Sequence, residues 1–178
     1  MSLLKIARMG HPVLLQKAVP VEDIHAPEVQ RLIDDMVETM DDIKGAGLAA
    51  PQVYRSLRLF LYRVPEARAA GGDDPPLETQ VLINPVLSPV DDEQILRQEG
   101  CLSIPGLRGW VPRFVRIRYA GYDRHGEYVE GIASGFRANV MQHEMDHLDG
   151  ILYPMRMTDL SLLAFDEEAT RFPAVVEA

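Results

Sequence analysis

The chain has 178 residues, 47% hydrophobic and 25% charged, with 18 basic and 27 acidic side chains for a net charge of −9. That is the composition of a folded globular protein, not of a disordered or collagen-like one, and the length is enough to bury roughly 70% of the unfolded surface. The acidic balance argues against broad binding to nucleic acid or anionic lipid. No apolar run approaches the ~20 residues of a spanning helix, and a single cysteine, Cys101, excludes an internal disulfide framework.

Residues 1–13 have neither an apolar core of signal-peptide length nor Arg-rich transit character, so one cytoplasmic domain over 1–178 is expected. Residues Pro27 to Lys44 carry an apolar stripe at three- and four-residue spacing (Val29, Leu32, Ile33, Met36, Val37, Met40, Ile43), which predicts an amphipathic helix. Pro27 suits its first turn, and Gly45 is placed for a left-handed cap at its end. Strands of mixed burial are predicted at 57–64, 80–86, 94–99, 114–122 and 127–133, with Asp123-Arg124-His125-Gly126 as a hairpin turn between the last two. The stretch 65–79 (PEARAAGGDDPPLET) predicts a mobile surface loop. A second helix is predicted from an N-cap at Ser134 to about Asp149, with Gly150 as its stop. Phe136, Val140, His143 and His147 fall on one face of it. The tail 151–178 predicts a short helix around 159–170.

Three segments carry chemistry. In His143-Glu144-Met145-Asp146-His147 the two histidines project from one side of a helix, so both imidazoles can bind one metal ion. The glutamate between them can reach a water on that metal without being a ligand. The 31 residues after His147 contain no further histidine, although Asp149, Asp159, Asp166, Glu167 and Glu168 offer carboxylates. Cys101, in Glu99-Gly100-Cys101-Leu102-Ser103, is the better third ligand, because a thiolate suits borderline divalent metals and a Cys-His-His set leaves one tetrahedral position open. The third segment, Gly45 to Gln52 (GAGLAAPQ), lacks the Lys-Ser/Thr of a phosphate loop. It reads either as a tight turn or as backbone that approaches a ligand, with the Gln52 amide as donor.

The segments GAGLAAPQ (45–52), EGCLS (99–103) and QHEMDH (142–147) resemble the three signature motifs of the peptide deformylases, in the family's order and separations. The likeness continues through SIPGLRGWVPR (103–113) and the helix 27–44, and so covers most of the chain. The resemblance implies an α+β fold, with mixed or antiparallel strands around a central metal-binding helix. It implies a hydrolase that takes the N-formyl group from the initiator methionine of new polypeptides and releases formate.

Position by position, it implies Cys101, His143 and His147 as ligands of one divalent metal, natively Fe(II) and often replaced by Zn, Ni or Co. Glu144 becomes the general base and acid, while Gln52 and the Leu102 backbone N–H hold the formyl oxygen, a contribution of ~3 kcal/mol per donor. Ala46, Gly47 and Gly100 pair with the peptide backbone as an added strand. Arg108 lies near the substrate channel, and Val140 and Leu102 line the methionine pocket. The implied partner is the N-formyl-methionyl nascent chain, with transient ribosome contact and without nucleic-acid or membrane binding.

At least one of Glu99 and Asp146 is expected to orient a ligand histidine, with Arg113 as the nearby cation. His11, His25 and His125 read as turn or loop residues and Trp110 as structural. Gly10-His11-Pro12 and Asn139 depart from the common pattern, where an acidic and an apolar residue respectively are usual. Two other classes compete: a hydrolase of the same fold acting on another small acyl group, and a non-catalytic metal module. Intact motifs speak against the first, and retention of Glu144 and Gln52 against the second.

Overall fold

The computed structural model describes residues 2–174, so Met1 and the last four residues of the predicted tail lie outside the described residues. At the centre is β2 (Leu59–Val64), whose Leu59, Phe60, Leu61 and Tyr62 are all buried. A strand sends alternate side chains to opposite faces, so this run needs cover on both sides. Leu59 and Leu61 pack with Ile33, Met36 and Met40 of α1 (Pro27–Asp42). Phe60 and Tyr62 pack with Ala138, Val140 and Met141 of α2 (Gly135–Leu148) on the other side.

With β1 (Gly47–Ala49), β3 (Leu77–Pro89), β6 (Arg116–Tyr122) and β7 (Tyr128–Ser134), β2 forms an antiparallel sheet of order β1-β2-β3-β6-β7. A second antiparallel sheet, β4-β5-β8, consists of β4 (Gln94–Cys101), β5 (Ile104–Phe114) and β8 (Ala164–Phe165). Its core joins Ile104 and Val111 to Ala7, Leu14, Leu152 and Tyr153. The fold is α+β, with α2 buried on most of its circumference. That burial explains why no clean apolar stripe marks α2 in the sequence.

Several predicted boundaries shift. Helix α1 stops at Asp42, and Lys44, not Gly45, takes the left-handed conformation (φ 53°). Strand β3 extends the predicted 80–86 at both ends. Its register slips between Ile83 and Val86, where Asn84 sits at φ 51° and exchanges two 2.9 Å hydrogen bonds with the Val21 backbone. The predicted strand at 114–122 begins only at Arg116, because Phe114 closes β5. Strand β5 itself is unpredicted, since Pro105, Gly106, Gly109 and Pro112 break its pattern. Pro112 is tolerated because β8 pairs only with Leu107 and Arg108, which leaves its side of β5 free of a ladder partner. The tail helix is shorter than predicted, as α3 (Asp166–Arg171) after a 3-10 turn at Leu160–Leu162.

The stretch 65–79 is irregular up to Pro76, and its last three residues open β3. It contains a 3-10 turn (Glu66–Arg68), and it buries Asp74. The Asp74 carboxylate accepts the backbone N–H groups of Phe136 (2.8 Å) and Arg137 (3.2 Å), capping α2 from 62 residues away. Ser134 occupies the N-cap position as predicted but makes no capping hydrogen bond. Asp74→Ala should therefore cost ~1 kcal/mol, seen as a fall of about 2–4 °C in the thermal midpoint of a chain this size.

Candidate active site

Strand β4 ends at Cys101, and Leu102 and Ser103 form a two-residue turn into β5. The turn presents the Cys101 sulfur to α2, where His143 and His147 lie one helical turn apart and buried. Ligand atoms of Cys101, His143 and His147 all fall within 4.8 Å of one another, and Cys101 Sγ is 3.3 Å from His147 Nε2. Metal–ligand bonds of about 2.0–2.3 Å at tetrahedral angles set donor atoms about 3.3–3.8 Å apart, so a divalent ion fits among them. The backbone N–H of Ser103 (3.4 Å) and the Gln52 side-chain amide (3.6 Å) both point at the sulfur.

The outer nitrogen of His143 is held by a carboxylate. His143 Nδ1 lies 2.8 Å from Glu99 Oε2, which fixes the ring with its other nitrogen toward Cys101. Glu99 in turn accepts both Nε and Nη2 of Arg113, at 2.7 and 2.9 Å. The third nitrogen of Arg113 donates to Asp146 at 2.7 Å, and Arg156 closes the other side of Asp146 at 2.8 Å. Of the two carboxylates considered from the sequence, Glu99 touches a histidine, whereas Asp146 meets arginines. Burial would raise the Glu99 carboxyl, but the bonds from His143 and Arg113 hold it at about 2. Burial likewise opposes charge on His143, yet the Cys101 sulfur and Glu99 hold its pKa well above the ordinary value. Burial and the neighbouring His143 hold the pKa of His147 well below the ordinary value.

Glu144 is buried beside these donors, and its Oε2 has no hydrogen-bond partner among the described residues. Burial pushes its carboxyl up to about 7. Its other face lies against Gly47 so closely that a Cβ there would come within 2.7 Å of Glu144 Cδ and 2.8 Å of Val140 Cγ2. Gly47 is thus demanded by the close approach of the protein's own Glu144 and Val140 side chains. Gln52 is oriented by accepting the Ala49 N–H at 2.8 Å through Oε1, which aims its amide nitrogen at Cys101 and Ser103.

A pocket of about 420 Å³ opens over this cluster. Its lining includes Ala46, Gly47, Gln52, Gly100, Cys101, Leu102, Arg108, Val140, His143 and Glu144, so all the candidate site residues except the deeper His147 face it. Strands β1 and β4, each at the edge of its own sheet, flank it. Asp166 also reaches the pocket, where it pairs with Arg108 across 58 residues, and nothing local in the tail sequence signals this. Trp110, read as structural, lines an adjoining hollow. His11 accepts the Val13 N–H and packs edge-on to Tyr54, while His25 and His125 are exposed; none joins the cluster.

The sequence model of the polypeptide deformylase family matches residues 3–162. A curated relative named peptide deformylase 2 from Ralstonia nicotianae is 48% identical over 162 residues, spanning 91% of this chain and 91% of its own. Peptide deformylase 1 of Bordetella pertussis is 49% identical, over 91% and 92%. Among solved structures, a Met-Ala-Ser-bound class I type b peptide deformylase from Acinetobacter baumannii superimposes with a TM-score of 0.80 at 36% identity, covering 88% of this chain and 99% of that one. The peptide deformylase of Thermotoga maritima gives a TM-score of 0.79 at 36% identity, over 89% and 100%. With sequence, fold and site in agreement, the chain belongs to the polypeptide deformylase family.

Proposed function

We propose that Glu144, Gln52 and Leu102 carry out the family's reaction in this chain, with Cys101, His143 and His147 holding the metal. The enzyme is a metal-dependent hydrolase that removes the N-formyl group from the initiator methionine of new polypeptides. The observation that carries the assignment is a buried carboxylate, Glu144, with one oxygen unpartnered beside three convergent metal donors.

A divalent metal in that set supplies a lowered pKa for water and polarises the carbonyl. Glu144 takes the proton from the attacking water and returns it to the departing amine, a dual task suited to a carboxyl near neutrality. The Gln52 amide nitrogen and the Leu102 N–H donate to the formyl oxygen as charge develops on it. Gly47 and Gly100, on the two flanking strands, and Ala46, just before β1, pair with the peptide backbone, while Val140 and Leu102 receive the methionine side chain and Arg108 lies farther along the channel. A mixed sulfur and nitrogen donor set is consistent with Fe(II) as the native ion and Zn, Ni or Co as substitutes. A cytoplasmic setting with transient ribosome contact, as a single domain, belongs to the same reading. None of the helices described is long and apolar enough to cross a membrane.

The test is formate release from a formyl-Met tripeptide by protein purified without oxygen and loaded with Fe(II) or Ni(II). Release from the formyl peptide without matching turnover of its acetyl counterpart is expected, because a formyl carbon bears only hydrogen. Comparable rates on both would refute the steric filter; no release with one metal bound would refute the substrate.

A further inference from the structure

One turn of α2 before His143, the wall of the active-site pocket carries an amide with nothing to bond. Asn139 stands four residues ahead of His143, so it projects from the same helix face, about 5–6 Å nearer the N-terminus. It lines the pocket there together with Val140 and Phe136. Its Oδ1 is buried and has no hydrogen-bond partner. Its Nδ2 makes no hydrogen bond among the described residues either, but it is not buried, so the amide offers the pocket an uncommitted donor. Both features work against the fold. Asparagine is a poor residue inside a helix, and a buried carbonyl oxygen without a partner is unfavourable. Leucine, of much the same size, would suit Val140 and Phe136 and avoid both penalties.

Resting on the deformylase reading, in which Val140 receives the methionine side chain, we propose that Asn139 determines specificity within that pocket. Its Nδ2 donates a hydrogen bond to the thioether sulfur of the first residue, so methionine is recognised by its sulfur as well as by its length. The placement follows from helix geometry. Val140 lies one turn before Glu144, so a side chain that packs on it descends along α2 from the metal donors toward the N-terminus. One turn is about 5.4 Å, and a methionine side chain spans most of that between Cα and sulfur. The sulfur therefore arrives at the level of Asn139. A thioether is a weak acceptor, but the amide has no stronger partner within the described fold. Norleucine, with a methylene in place of sulfur, has the same shape and would cover the donor without bonding it.

The test compares formyl-Met-Ala-Ser with formyl-norleucyl-Ala-Ser by formate release, using Ni(II)-loaded native enzyme and Asn139→Leu. The native enzyme should favour the methionine peptide in kcat/KM by about twofold to tenfold, as expected of one hydrogen bond between neutral groups. The difference should lie in KM, because the bond is the same in ground and transition states. In Asn139→Leu the ratio should fall to one or below, and the norleucine peptide should react faster than with the native enzyme, a gain that damage to the fold does not produce. Asn139→Ala, which removes the donor without adding bulk, should show the same fall in ratio. Equal turnover of the two peptides by the native enzyme would overturn the role of Asn139 alone. A methionine preference that persisted in both variants would overturn it too, by placing the discrimination elsewhere in the pocket. Formate from neither peptide with the native enzyme would overturn the deformylase reading and this role with it.

Discussion

Glu144→Gln protein should fold, bind one metal and release formate about 10²–10⁴-fold more slowly than the native enzyme. The amide matches the carboxylate in shape, so its packing against Gly47 and Val140 persists. It cannot accept a proton, and that is the property the reaction needs. The native carboxyl is buried with one oxygen unpartnered, so the exchange removes no ion pair and leaves no buried charge uncompensated. Metal content and thermal midpoint measured beside the rate separate a chemical loss from a structural one. A variant with full metal and a near-native rate would remove Glu144 from the mechanism.

The second large effect is expected at Glu99. In Glu99→Ala the outer nitrogen of His143 loses its partner, and Arg113, only 5% exposed, keeps Asp146 alone. Breaking a buried ion pair from one side costs ~3–5 kcal/mol, and removing the carboxylate behind a metal-binding histidine weakens metal affinity about 10–100-fold. Both losses should appear together, as a lower denaturation midpoint and as easier metal removal by a competing chelator. Asp146→Ala provides the contrast. Asp146 bonds Arg113 and Arg156 but no ligand, so it should reduce stability while the chelator titration stays where it was. Equal metal loss in both variants would mean that the network acts on the site only through general stability.

What the sequence made legible is what local spacing controls. The stripe from Val29 to Met40 forms α1, and the i, i+4 spacing of His143 and His147 places both imidazoles together. Cys101 was readable as a third ligand from its chemistry, and the likeness of three motifs supported it, but no local pattern shows how the fold brings it across 42 positions to His143. The same limit hid Asp74 at the start of α2 and Asp166 at Arg108, which act across 62 and 58 residues. Strand β5 was missed for another reason. Its prolines and glycines are poor strand formers on propensity, and pairing with β4 along its whole length overrides them. Nor does composition show that the Gly- and Asp-rich stretch 65–79 is tied to α2 by one buried carboxylate.

The open edges of β1 and β4 carry a hazard as well as a use. An unpaired edge is a template on which another molecule can add a strand, and thus a starting point for aggregation. Here β1 offers only three residues, whereas β4 offers eight. Both also sit on the walls of one narrow cleft, shared with Phe136 and Leu107. Because both edges open onto one pocket, a single chain laid into it would meet an unpaired strand on either side, and the same occupant would cover both templates at once.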